Sequence, residues 1–218
     1  MNAKSLPFFW IFCLLASLWT TSLSATAEVS ARDLIISTTE QLVQGLQDRQ
    51  DDIRQDISFA FALADETVIP HVDFELITRW VTGKYWRRAS PDQRSKLVKE
   101  FRQLLTRSYV TAMVTYTDQI LAHRNNVHYP SSGNRPGEKR TSVPMVIDLN
   151  NGQHATVEYL MHLANGGWKI FDVKVEGISL AITYRSTFAQ EINRNGIDGL
   201  IATLEERNRR NEVLLAAP

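Results

Sequence analysis

Cysteine is almost missing from this chain. Its single Cys13 lies in an N-terminal stretch that reads as a removable leader, leaving 191 mature residues with none. A disulfide framework and a thiolate metal site are both excluded, so an exported chain of this kind must rely on its own apolar core. An excess of charge is missing too. There are 24 basic and 24 acidic residues, and loss of Lys4 with the leader makes the formal charge −1. That argues against a nucleic-acid binder, which needs a basic field. It argues equally against tight electrostatic docking on an anionic membrane. The small clusters Arg87-Arg88 and Arg207 with Arg209-Arg210 read as solvated helix faces.

Catalytic patterns are also lacking. His123 and His128 are five apart, and His154 and His162 eight apart; neither spacing matches a recognised ligand pair, so these read as surface or satisfied histidines. There is no G-x-S-x-G elbow, and Gly177-Ile178-Ser179 follows a strand without the second glycine. Gly166-Gly167 is too short to cradle a phosphate. Asp172 sits in an apolar strand, where a carboxylate could act as a base of raised pKa. The plainer reading points it outward beside Lys169 and Lys174.

What is present begins with export chemistry. Lys4 gives a positive start, Leu6 to Trp19 an apolar run, and Ala25-Thr26-Ala27 a small-x-small cleavage site before Glu28. The run is too short to span a bilayer comfortably and has no stop-transfer flank. Phe12 before Cys13 speaks against a lipoprotein signal. Residues 1–27 are therefore expected to be a signal peptide and 28–218 a single domain.

The first half reads helical. Ser30 and Asp33 start one helix, and a second runs from about Asp52 through Ile57 and Leu63 until Pro70. Asp73 caps a third, and Ser90-Pro91-Asp92-Gln93 opens the fourth with a capping box. That helix keeps one apolar face to Ile120, roughly 45 Å at about 1.5 Å per residue, so it is expected to bend or overhang. After the turn-rich loop Tyr129 to Glu138 the period changes. Val127 to Tyr129 reads as a short edge strand. Thr141 to Leu149, His154 to Leu163 and Trp168 to Val175 read as an antiparallel meander, with Asn151-Gly152 and Asn165-Gly166-Gly167 as hairpin signals. Helices over Ser179 to Asn193 and Ile197 to about Arg210 follow, separated by Gly196. The order predicts an α+β fold, helices packed on one face of a curved antiparallel sheet.

Two ordered blocks carry more. Val68 to Gln93, VIPHVDFELITRWVTGKYWRRASPDQ, leads into a helix with Phe101, Leu104, Leu105 and Tyr109. Gly167-Trp168-Lys169-Ile170, Asp172-Val173, Glu176 to Leu180 and Tyr184-Arg185 form the second. Together they resemble the toluene-tolerance/MlaC family of periplasmic phospholipid-binding proteins, over nearly all of the chain after the leader. Thr82 stands before Gly83 where that family usually has leucine. The resemblance implies a cone like that of nuclear transport factor 2, closed around a deep apolar cavity for acyl chains. It implies no cofactor beyond a bound phospholipid. The implied partners are an outer-membrane lipoprotein–porin complex and an inner-membrane ATP-driven transporter with MCE-domain rings, with outer-membrane lipid asymmetry as the outcome.

The candidate lining follows from alternation and facing. Val143, Met145 and Ile147 share a side of the first long strand, and Val157 and Tyr159 a side of the second. The third is apolar on both sides, Trp168 and Ile170 on one, Phe171, Val173 and Val175 on the other. Leu105, Tyr109, Ala112 and Tyr116 of the long helix are expected to face them, with Tyr184 and Arg185 near the mouth. Each buried methylene is worth about 0.8 kcal/mol, so two acyl chains of roughly 15 methylenes represent about 24 kcal/mol. A dry aliphatic pocket can match that, and a polar lining cannot. Three alternatives stay open: a carrier of another lipid such as a hopanoid, a periplasmic isomerase or dehydratase using Asp172 as base, and an adaptor whose core is simply filled.

Overall fold

The computed structural model describes residues 29–131, 137–149 and 152–213. The expected leader, Asn151 of the first hairpin signal and the centre of the Tyr129–Glu138 loop lie outside these residues. The architecture is α+β, as anticipated: among the described residues seven α-helices pack on a five-stranded, open, wholly antiparallel sheet whose order follows the chain.

Local signals set most of the helix ends. Helix α1 (Ala31–Asp48) is capped by Ser30, whose Oγ accepts from the Asp33 amide at 3.1 Å. Helix α4 (Phe74–Thr82) is capped by Asp73, which accepts from the Leu76 amide at 2.8 Å. Helix α5 (Pro91–Thr115) opens on the capping box: Ser90 Oγ accepts from the Gln93 amide at 3.2 Å, and Gln93 Oε1 from the Ser90 amide at 3.0 Å. Thr82 replaces the family's leucine without cost in hydrogen bonding. It is buried, and its hydroxyl donates to the Thr78 carbonyl at 2.7 Å.

Two expectations need correcting. The second helix is two, α2 (Gln50–Gln55) and α3 (Ser58–Thr67). Asp56 breaks it, since its extended backbone lets its carboxylate take the Ser58 amide at 2.8 Å, an aspartate turn that competes with helix. The fourth helix stops at Thr115, and α6 (Thr117–Ala122) continues it after a break at Tyr116. The last stretch, α7 (Leu180–Arg209), is two helical halves parted at Gly196 as expected, where φ is 73° and ψ −178°. Glu191 Oε1 accepts from Thr203 Oγ1 at 3.2 Å. Twelve residues of straight helix would put those residues roughly 18 Å apart, so the halves fold back on each other.

The strands are β1 (Val127–His128), β2 (Arg140–Asp148), β3 (His154–Ala164), β4 (Gly167–Val175) and β5 (Ile178–Ser179). Three apolar cores result. The α4–α5–α7 core centres on Phe101, whose ring meets Tyr184 at 5.3 Å and Phe188 at 4.9 Å. Leu46, Ile53, Leu63 and Val110 join α1, α2, α3 and α5. Ala31 and Ile35 of α1 lie on Val143, Met161 and Ile170 of the sheet. Among the described residues no helix is long and apolar enough to cross a membrane.

Candidate lipid-binding face

The sheet register brings the strand candidates to one face. Partners across the strands form rungs: Val143, Tyr159 and Val173; Met145, Val157 and Val175; Met161 with Ile170; Leu163 with Trp168; Ile147 with Ala155. Facing partners share a side of a sheet, so nine of the named positions align. The expected split of the third strand is overturned by a β-bulge. Leu160 pairs with Asp172 while Met161 pairs with Ile170, which leaves Phe171 as the extra residue. One inserted residue resets the alternation, so Val173 and Val175 rejoin Trp168 and Ile170. Phe171 turns to the other face, against Trp80 at 5.6 Å and His162 at 5.9 Å.

Cover on the apolar face is uneven. Val143, Met145, Met161 and Ile170 are buried, the α1 residues Ala31 and Ile35 lying on this end of the face. Val157, Tyr159 and Val173 are only half-buried, and Val175 is 41% exposed. Beyond it, Ile178 and Ile182 are 64% and 59% exposed. A band of apolar surface is thus left open toward β4 and the start of α7. The Tyr159 hydroxyl sits in this apolar setting beside Met145 Sδ at 4.0 Å, and burial raises its phenol far above the usual tyrosine range. Burial likewise raises Tyr129, partly offset by the Thr39 hydroxyl.

The helix candidates divide. Leu105 does not face the sheet; it is buried in the α4–α5–α7 core, because α5 packs on α7 rather than on the strands. Tyr184 belongs to that core too. Tyr116 is 54% exposed and Ala112 half-buried. Tyr109 is the link. Its ring is 39% exposed, yet its hydroxyl lies inside, pushed up chiefly by burial, with Tyr184 as hydrogen-bond partner and the Asp172 charge nearby. Arg185 is exposed and its guanidinium lies over Gly83.

Asp172 does not point outward. It is 3% exposed and fully engaged. Ser179 Oγ donates to its Oδ2 at 2.5 Å, while the Val173 and Ala181 amides donate to Oδ1 at 2.9 and 3.1 Å. It therefore ties β4 to the N-terminus of α7, where a carboxylate also complements the helix dipole. The histidines have partners the spacing did not suggest. Asp148 accepts from His128 Nε2 and His154 Nδ1, each at 2.7 Å, and His162 Nε2 pairs with Asp73 at 2.8 Å. No group of three or more acidic or histidine side chains among the described residues is arranged to hold a metal ion.

Sequence reasoning missed the α1 contribution of Leu34 and Ile35, and the open pair Ile178 and Ile182. The first was visible only as a helical stripe with no assigned target. In the second, Ile178 was read as motif rather than as surface, and Ile182 was not singled out.

The chain is 27% identical over 177 residues to toluene tolerance protein ttg2D of Pseudomonas putida, covering 81% of this chain and 79% of that one. It is 24% identical over 186 residues to the intermembrane phospholipid transport system binding protein MlaC of Haemophilus influenzae, covering 84% of each. A phospholipid-binding protein from Ralstonia solanacearum, solved in complex with a phospholipid, superposes with a TM-score of 0.70 at 26% identity, covering 84% of this chain and 98% of that one. The MlaC protein family profile matches residues 37–206, well over half of the sequence. The chain belongs to the MlaC family.

Proposed function

We infer that residues 28–218 form one phospholipid-binding domain, exported behind the leader, that carries lipid through the periplasm by its acyl chains. The observation that carries this reading is the single apolar sheet face whose cover gives out toward β4, in a chain whose structural neighbour was solved with a phospholipid. The lining proposed is Val143, Met145, Ile147, Val157, Tyr159, Trp168, Ile170, Val173 and Val175, with Tyr109 and Ala112 opposite. Tyr184 stands behind Tyr109, Arg185 follows it over Gly83, and Leu105 supports the helix from its core side.

A carrier of this kind must offer apolar burial comparable to that of the bilayer, so transfer between membrane and protein is near neutral. Direction then comes from protein partners. The names of the relatives support an intermembrane transport system, with delivery between outer-membrane and inner-membrane complexes and maintenance of outer-membrane lipid asymmetry as the role proposed. A catalytic role has less support, because Asp172, the carboxylate best placed by sequence, is used up as a structural ligand.

Mass spectrometry of the protein purified natively from the periplasm tests the reading. Co-purifying phospholipid at near one per chain supports it. An empty protein that also takes up no lipid from phosphatidylethanolamine–phosphatidylglycerol vesicles would overturn it.

A further inference from the structure

A groove of about 1090 Å³ runs along α5 on the side turned away from the core residues Leu97, Phe101 and Leu104, with α3 and α4 supplying its other walls. Arg94, Arg102 and Arg107 line it. They span thirteen residues of helix, roughly 20 Å at about 1.5 Å per residue. Each guanidinium is held by an uncharged neighbour. Arg94 lies over the Trp86 ring at 5.4 Å and donates to the Trp86 carbonyl at 3.0 Å. Arg102 lies over the Phe74 ring at 5.2 Å. Arg107 donates to the Asn208 carbonyl at 2.7 Å.

None of the three makes an ion pair among the described residues, whereas Arg49, Arg54, Arg209 and Arg210 all do. Lys99 adds a fourth cation to the lining, against two carboxylates, Asp65 and Glu75. In a chain with no net charge this is a local excess of positive charge. The three arginines are positioned in advance and make no ion pair among the described residues, whereas Lys99 pairs with Glu100 at 3.2 Å. Arginine's planar fork suits carboxylates, and side chains already fixed by aromatic stacking lose little further freedom on binding.

We propose that this groove docks an acidic segment of a partner protein, its carboxylates spread over the length of the three arginines. The concavity favours a peptide segment over a membrane, because a planar surface of anionic headgroups does not follow a groove walled by α3 and α4. The site is on the far side of α5 from its core-facing residues and is separate from the apolar sheet face, so it stands apart from lipid binding.

The test uses the full mature chain and a fluorescein-labelled oligoglutamate peptide, read by anisotropy. Binding is expected, weakening roughly tenfold as salt rises from about 50 to about 300 mM. Arg102→Glu is expected to weaken it by roughly tenfold or more, and Arg102→Gln by less in the same direction. Arg209→Glu, outside the groove, should change it less than about twofold. Bound phospholipid and thermal midpoint should not move in any of these variants. Peptide binding that is indifferent to both Arg102 variants overturns the proposal. So does a wild-type protein that ignores the peptide but binds phosphatidylglycerol vesicles through Arg102, which would make the groove a membrane face.

Discussion

The guanidinium of Arg185 lies against the bare α-carbon of Gly83, so close that a Cβ there would stand 3.2 Å from its Nη2. Gly83 has φ of 54°, a conformation that costs residues with a side chain. The two residues come from the two sequence blocks that resemble the family, about a hundred positions apart. Their contact joins the end of α4 to the first turns of α7.

Gly83→Ala is therefore expected to destabilise the protein by about 1–2 kcal/mol through its backbone, with a further loss from displacing Arg185. Urea unfolding measures it. Adding Arg185→Ala should recover the second part only. An unchanged midpoint in Gly83→Ala would remove the argument for this contact.

Arg185→Ala alone should leave the amount of bound lipid little changed, because acyl burial supplies the binding. The measurement is phospholipid per chain in purified protein. A folded variant that emerges empty would mean that headgroup capture dominates.

Asp172→Asn should cost about 2–3 kcal/mol, since one of the two accepting oxygens becomes an NH₂ that cannot accept, leaving either the Ser179 hydroxyl or the Val173 and Ala181 amides facing another donor. Lipid content should persist in the fraction that stays folded. A variant of full stability would contradict the structural role given to this carboxylate.

Filling the apolar face separates cavity from ordinary core. Val157→Trp or Ile147→Trp should abolish bound lipid with a nearly unchanged thermal midpoint. In a filled core the same change overpacks, at about 1–3 kcal/mol or more. A collapsed midpoint would therefore count against the proposed lining.

Asp148 supplies a pH signature. Hydrogen bonds from His154 and then His128 hold its carboxyl below the usual range. A depressed folded pKa contributes stability above the unfolded value, about 3.9 for aspartate, and loses it as pH falls through the folded value. Asp148→Asn should thus lower the midpoint at neutral pH, and the gap to wild type should close in strong acid. A gap that widens on acidification would reverse the assignment.

Much of this was legible before any tertiary contact was known. Ser30, Asp73, Ser90 with Gln93, and Ser179 each start a helix because a cap acts within three residues of itself. Gly196 stops one because only its own backbone is involved. Alternation placed Val143, Met145, Ile147, Val157 and Tyr159 on one side for the same reason, since a strand's period is a local property. What periodicity leaves open is the object each face meets. Leu105 was expected to face the sheet, and only packing decided that α7 lies beside it instead. A single inserted residue at Phe171 put Val173 and Val175 on the face of Trp168 and Ile170, and its mark in the sequence is the change of phase of the polar positions from Lys169 to Asp172 and Lys174. Asp172 bonds to groups one to nine residues on, in a turn from β4 into α7 that periodicity does not describe. Arg185 found its seat on Gly83 only when α4 and α7 were brought together, because that contact joins positions the chain alone leaves far apart.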